Sequence, residues 1–175
     1  MSRISIGLVL ALIVAAYAIP SAAADNRQIC AGINGTYTPQ QEIDACTDII
    51  KSSTTKSSDY DQYYNNRAVA YMSLNQYDNA IKDFTQAISD HPRDSYFNNR
   101  AWAYHLKGED AKGLSDAKKA VTMTPDNADF IETRAEIYEK LNQHDEAIAD
   151  YRASLKLDPT DDHSKQGLKR LNAAQ

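Results

Sequence analysis

Few side chains in this sequence have the type and spacing that catalysis or metal binding requires. There is no H-E-x-x-H or C-x-x-C motif, no G-x-S-x-G elbow and no glycine-rich phosphate loop. The histidines stand at unrelated positions, whereas metal ligands recur at short, fixed spacings. They are His91, His105, His144 and His163. We therefore predict a non-enzymatic protein that uses no metal and no cofactor.

The N-terminal residues have the three parts of a secretory signal peptide. Arg3 supplies the positive charge, residues 4–19 form a nearly unbroken apolar run, and the alanines at 22–24 supply a cleavage site. The run is shorter than the ~20 residues that a membrane-spanning helix needs, which disfavours the alternative of an uncleaved anchor. We expect residues 1–24 to be removed and the mature chain to start at Asp25.

The two cysteines, Cys30 and Cys46, follow this signal closely. An even number of cysteines in an exported chain favours a disulfide. The bond would close a loop of about 15 residues and stabilise the fold by about 3 kcal/mol. Two free buried thiols are the alternative.

The net charge of −5 limits the classes of partner. An acidic chain does not gain from counterion release on nucleic acid, and it lacks a basic stripe for an anionic membrane surface. We expect no nucleic-acid partner and no stable membrane anchor after signal cleavage.

Three segments, 61–93, 94–127 and 128–161, align without gaps. Each contains two stretches with apolar residues at helical spacing, and a proline ends the second stretch. The recurring columns are Arg67, Arg100 and Arg134; Ala68, Ala101 and Ala135; Tyr71, Tyr104 and Tyr138; Asp83, Asp116 and Asp150; and Pro92, Pro125 and Pro159. The segments are therefore predicted to be three repeats of a helix pair.

The order of these residues resembles the tetratricopeptide repeat (TPR) family, whose period is ~34 residues. The resemblance covers residues 61–161. It implies an all-α fold, a right-handed superhelix (α-solenoid) of helix hairpins. The first repeat carries the match best, with Tyr64, Ala68, Tyr71, Ala80, Phe84, Ala87 and Pro92.

The flanking segments fit caps of such a solenoid, which terminal repeats need for solubility. Residues 25–58 look like a damaged repeat and a linker, with a capping box at 38–41. Cys46 falls where Phe84 stands in the first repeat, so the disulfide would staple this N-terminal cap. Residues 162–175 are predicted to form a C-terminal capping helix that packs Leu168 and Leu171 on the stack.

The arginine and aspartate columns have two interpretations. They could form a basic ladder that grips an anionic peptide, or an Arg–Asp ladder inside the stack that fixes helix register. We favour the second, because each arginine shares a helix face with a tyrosine and a matching aspartate could neutralise it.

The family resemblance implies a concave binding face lined by the first helix of each repeat. Carried over by position, the partner-binding residues are Asn65, Val69 and Met72; Asn98, Trp102 and His105; and Glu132, Glu136 and Glu139. We expect a shallow groove centred on Trp102, with an asparagine floor and an acidic wall that selects lysine or arginine. The alternative for Trp102 is packing onto Val69 or a neighbouring helix.

These observations predict a scaffold or adaptor of the cell envelope that binds another protein or a peptide, most consistent with a bacterial periplasm. In a eukaryotic secretory route, residues 34–36 would be a glycosylation sequon. The alternatives are a self-associating subunit, which would form a homo-oligomer, and a regulatory or accessory subunit of a cell-envelope enzyme.

Overall fold

The computed structural model of the protein describes residues 25–32, 35–52 and 60–173. The expected signal peptide at 1–24 and most of the expected linker lie outside these residues. The described ranges contain helices and no strands. The helices are α1 (Asn26–Cys30), α2 (Pro39–Ser52), α3 (Tyr60–Ser73), α4 (Tyr77–Asp90), α5 (Asp94–Lys107), α6 (Asp110–Met123), α7 (Ala128–Lys140), α8 (His144–Leu157) and α9 (Asp162–Arg170). In the described part of the chain, no helix is long and apolar enough to span a bilayer.

The helices form an all-α solenoid, as predicted, in which α3–α4, α5–α6 and α7–α8 are successive hairpins. The turn inside each hairpin has the same backbone geometry. Asn75, Gly108 and Asn142 occupy equivalent positions and have φ angles of 57°, 82° and 58°. Glycine and asparagine tolerate this left-handed conformation, which closes a helix with a Schellman-type turn.

Small residues allow the paired helices to approach closely. Ala68, Ala101 and Ala135 are fully buried where the first helix of each hairpin meets the second. Gly113 lies so near the first helix of its hairpin that a Cβ there would sit 2.9 Å from the carbonyl oxygen of Ala101. Side chains of Phe84 and Tyr151, both fully buried, fill the wider spaces.

The arginine and aspartate columns form the predicted ladder inside the stack. In every repeat the arginine Nε donates to one aspartate oxygen at 2.7 Å, and Nη2 donates to the other at 2.9 Å. The hydrogen bond that Arg134 donates to Asp150 raises the pKa of Arg134 against the effect of burial. These guanidinium groups are therefore committed to the fold, and the alternative of a ladder that grips an anionic peptide is wrong.

Two of these arginines also link neighbouring hairpins. Nη1 of Arg67 donates to the Thr47 hydroxyl on α2, and Nη1 of Arg100 donates to the Thr85 hydroxyl on α4, both at 2.9 Å. Each arginine thus connects the second helix of its own repeat to the second helix of the unit before it.

The predicted disulfide between Cys30 and Cys46 is confirmed and joins α1 to α2. Both cysteines are buried together with Ala45. The predicted capping box also forms, because the Thr38 amide donates to the Gln41 side chain and the Gln41 amide donates to the Thr38 hydroxyl. This N-terminal unit packs against α3.

Helix α9 packs against α8 through Leu168 and the backbone of Gly167, both of which are buried. The helix also contacts the first helix of the last hairpin. Arg170 Nε and Nη2 donate to the two carboxylate oxygens of Glu139, each at 2.8 Å. The Tyr151 hydroxyl donates to the same carboxylate at 2.6 Å.

Candidate functional site

Trp102 lies on the first helix of the second hairpin with its side chain only partly buried. Its indole stacks on the His105 ring, with centroids 4.9 Å apart and planes inclined by 22°. The His105 Nδ1 is in turn 2.6 Å from an Asp110 carboxylate oxygen. Because the Asp110 contact fixes His105, the histidine ring supports the indole, and the partly buried Trp102 is not enclosed between helices.

Two adjoining cavities flank Trp102 and together form an open groove between α5, α7 and α9. The first has a volume of about 190 Å³ and the second about 440 Å³. Trp102 and Glu136 line both cavities. The first also has Asn98, Asn99, Asp129, Glu132, Thr133 and His163, and the second also has His105, Glu139, Lys140 and Arg170.

Six of the nine predicted binding residues line this groove, and the three from the first hairpin do not. Met72 packs instead against the buried cluster around Phe84, because it lies next to the core-facing side of α3. Val69 is 45% exposed on the same helix. We expected Asn65 and Asn98 to be neighbours in the asparagine floor. The structure instead joins Asn65 to Asn99, whose side-chain amide donates to Asn65 at 3.2 Å.

The predicted acidic wall is partly neutralised. The hydrogen bonds from Arg170 lower the pKa of Glu139, assisted by the Tyr151 hydroxyl and opposed by burial. Glu139 therefore offers little free negative charge to a ligand, which corrects its predicted role. The remaining carboxylates of the wall belong to Asp129, Glu132 and Glu136.

Glu132 is electrostatically unlike an ordinary surface glutamate. Its side chain is 19% exposed, and its Oε1 lies 3.0 Å from Nδ1 of His163. Burial raises its pKa, and the negative charges of Asp161 and Glu136 raise it further, while His163 acts in the opposite direction. The carboxylate is thus held in a site that disfavours its charged form.

One residue that lines the groove has a polar atom with unused hydrogen-bonding capacity. Asn98 Oδ1 is buried and has no hydrogen-bond partner among the described residues. Ligand atoms of Glu132, Glu136 and His163 lie within 4.8 Å of one another, close enough to approach one cation. The His163 side chain is 74% exposed, however, and already contacts Glu132.

His163 and Arg170 were not among the predicted site residues, although a signal for them exists. They stand one repeat period after Asp129 and Glu136, respectively, which both line the groove. Helix α9 thus occupies the place that the first helix of a fourth repeat would take. Extending the repeat register beyond residue 161 identifies both side chains as members of the concave face.

The fold and the groove define a helical-repeat solenoid, and comparison with known families assigns it more closely. The family model described as the tetratricopeptide repeat matches residues 62–89 and 133–161. The first and third hairpins therefore match the tetratricopeptide repeat family. No curated protein matches it in sequence.

Solved TPR structures share the fold. The Arabidopsis OM64 TPR domain is 26% identical over 65% of this chain and 95% of its own length, with a TM-score of 0.63. The first TPR of Spaghetti (RPAP3), bound to the HSP90 peptide SRMEEVD, is 23% identical over 69% and 96%, with a TM-score of 0.64. The second TPR domain of human RPAP3, in complex with the HSP70 peptide SGPTIEEVD, is 20% identical over 62% and 92%, with a TM-score of 0.60.

Proposed function

We propose that this protein is an interaction scaffold that binds an extended or helical segment of a partner protein in the groove around Trp102. The observation that carries the proposal is the groove itself, in which an accessible indole stands between two adjoining cavities. Tryptophan is enriched among the residues that dominate binding energies at protein interfaces. Two TPR neighbours hold peptides, which supports the same mode of use here.

The polar groups of the groove suit a peptide. Asn98 lines the groove, and its Oδ1 is buried without a partner among the described residues. If the amide turns toward a bound segment, this oxygen can accept from a backbone N–H or a side-chain donor, which would remove the cost of leaving it unpaired. Trp102 supplies apolar contact area beside it. A peptide bound along this face of α5 would gain specificity from the hydrogen bond to Asn98 and affinity from the apolar contact with Trp102.

The proposal extends to the compartment. A scaffold of the cell envelope, in a bacterial periplasm, is supported by the signal-peptide pattern of residues 1–24 and by the Cys30–Cys46 disulfide. Disulfides persist in oxidising compartments. N-terminal sequencing of the folded, exported protein should begin at Asp25, and a folded export product that retains Met1 would contradict this part of the proposal.

Photocrosslinking in intact cells tests the binding surface. A photoreactive residue placed at position 102 should capture a defined partner, which mass spectrometry then identifies. The matched control places the same residue at Leu157, which is 47% exposed on the last hairpin and lies outside the groove. Identical adducts at the two positions, or no adduct at 102, would contradict the proposal.

The captured partner also separates the alternatives. A second copy of this chain would assign a self-associating subunit, and an envelope enzyme would assign an accessory role. The Trp102→Ala variant should lose the partner by a factor corresponding to about 2 kcal/mol if the indole is a hot spot. Because Trp102 is outside the buried clusters of the described chain, the variant should remain folded.

A further inference from the structure

The smaller cavity beside Trp102 is lined by the carboxylates of Asp129, Glu132 and Glu136 and is called the acidic compartment below. Its basic neighbour, His163, contacts Glu132 but is largely exposed. We propose that the acidic compartment receives a lysine or arginine side chain of the bound segment, so that the scaffold selects cationic sequences. This inference rests on the proposed function and adds the chemistry of its ligand.

The negative charge of this compartment is not compensated within the protein. Across the described ranges, Asp129 and Glu136 make no ion pair, while Glu132 has only the contact with His163. The repulsion between Glu132 and its acidic neighbours is one cause of its raised pKa. A bound cation would favour the charged form of Glu132 and would relieve that repulsion.

The uncharged groups of the compartment also suit a cation. Asn98 lines the compartment, and its buried Oδ1 has no donor in the described part of the protein. Rotation of the amide toward the cavity would let this oxygen accept from an ammonium or guanidinium group, which has donors and no acceptor. The indole of Trp102 forms the side of the cavity, and a cation near the face of an indole is attracted by its quadrupole. Carboxylates and an aromatic side chain therefore line one space.

The second cavity is less acidic, and this difference in charge should orient the bound segment along the groove. There Glu139 is paired with Arg170, and Lys140 adds a second positive charge, so this cavity is less negative than the acidic compartment. A cationic side chain is attracted to one side of Trp102 and not to the other. The bound segment should therefore lie in one register along the groove.

The two peptide-bound neighbours bind ligands of the opposite charge. Their peptides, SRMEEVD and SGPTIEEVD, both end in Glu-Glu-Val-Asp. Three carboxylates in the acidic compartment would repel such an ending, and like charges brought together at an interface discriminate strongly against a ligand. The charge of this groove thus predicts a different class of partner from that of its structural neighbours.

Peptide selection tests the inference and does not require the natural partner. The full chain, as the expressing cell produces it, is used to select from a phage-displayed library of random heptapeptides. The selected peptides should be enriched in lysine or arginine at one aligned position. The same selection on the Glu132→Gln/Glu136→Gln variant should lose that enrichment.

Binding measurements on one selected peptide then quantify the effect. The double glutamine variant should bind about tenfold more weakly, as expected for loss of partly buried charge interactions worth about 1.4 kcal/mol. It should also lose the salt dependence seen with the wild type. The control, Asp48→Asn/Glu146→Gln, makes the same change of net charge at exposed sites outside the groove and should leave affinity unchanged.

The possible failures have different meanings. Selected peptides that depend on Trp102 but lack lysine and arginine would overturn the cationic ligand and leave the proposed function standing. No enriched peptide, together with no crosslink at position 102, would overturn both. Titration with ZnCl2 alone is the third arm. Tight Zn²⁺ binding that the Glu132→Gln/Glu136→Gln variant loses, with peptide binding unaffected by that variant, would assign the compartment to a metal and overturn the proposal.

Discussion

Replacing Gly167 by alanine should loosen the attachment of α9. The glycine faces the ring of Tyr151, and a Cβ there would lie 2.3 Å from Cζ, 2.4 Å from Cε2 and 2.8 Å from Cε1. Carbon atoms normally stay about 3.5–4 Å apart, so one side must move by more than 1 Å or so. Tyr151 cannot yield easily, because it is fully buried and its hydroxyl is held by Glu139 and Arg170. The helix must therefore shift.

The net cost follows from two opposing effects. Overpacking a tight interface costs about 1–3 kcal/mol, whereas alanine favours a helix over glycine by about 1 kcal/mol. We expect Gly167→Ala to lower the free energy of unfolding by about 1–2 kcal/mol, which corresponds to a fall in Tm of about 5 °C for a domain of this size. Urea denaturation followed by circular dichroism measures it. Trp102, the single tryptophan, provides a fluorescence signal from the groove that α9 lines.

The control variant Gln166→Ala changes an exposed neighbour on the same helix and should alter stability by no more than about 0.5 kcal/mol. In a Tyr151→Ala background, where the ring is gone, the added methyl group of Gly167→Ala should no longer destabilise. A Gly167→Ala protein as stable as the wild type would refute the close packing of α9 on Tyr151 and the reasoning built on it.

Other predictions concern the ladder, the disulfide and the pH dependence of stability. Asp116→Ala should cost about 3 kcal/mol in urea denaturation, because it leaves the partly buried guanidinium of Arg100 without its counter-charge; a loss below 1 kcal/mol or so would show that the pair is unimportant. Replacing Cys30 and Cys46 by serine should cost about 2–4 kcal/mol while the helices of the later repeats persist by circular dichroism; unchanged stability would argue against the constraint. The pKa of Glu139 is lowered, so its contribution to stability is present above the unfolded-state pKa and is lost as the pH falls through the folded-state pKa. The stability difference between wild type and Glu139→Gln should therefore shrink between pH 7 and pH 3, and a difference that is constant with pH would contradict this assignment.

Most of the fold could be predicted from the residues that recur in every repeat, because a residue that recurs at one period has the same neighbours in every unit. This is why the Arg67–Asp83 pair and its equivalents could be predicted from the sequence alone. The groove was predicted less completely. Sequence position places Glu139 on the concave face, but only the packing of α9 shows that Arg170 neutralises it. Met72 was assigned to the groove by position alone, and its actual place against the core depends on how α3 is rotated in the stack.

The third hydrogen bond of the arginine column has a consequence for cooperativity. Arg67 and Arg100 each reach a threonine on the preceding unit, but Lys118 holds the equivalent place at the next junction, with its ammonium 5.6 Å from the centre of the Tyr138 ring. A cation–π contact has looser angular requirements than a hydrogen bond. This junction of the one-dimensional array therefore relies more on the apolar packing of Val121 with Phe130 and Ile131. The groove spans the same junction. A ligand held between Trp102 and α7 would stiffen that link, and unfolding of the two repeats would become more strongly coupled when the ligand is bound.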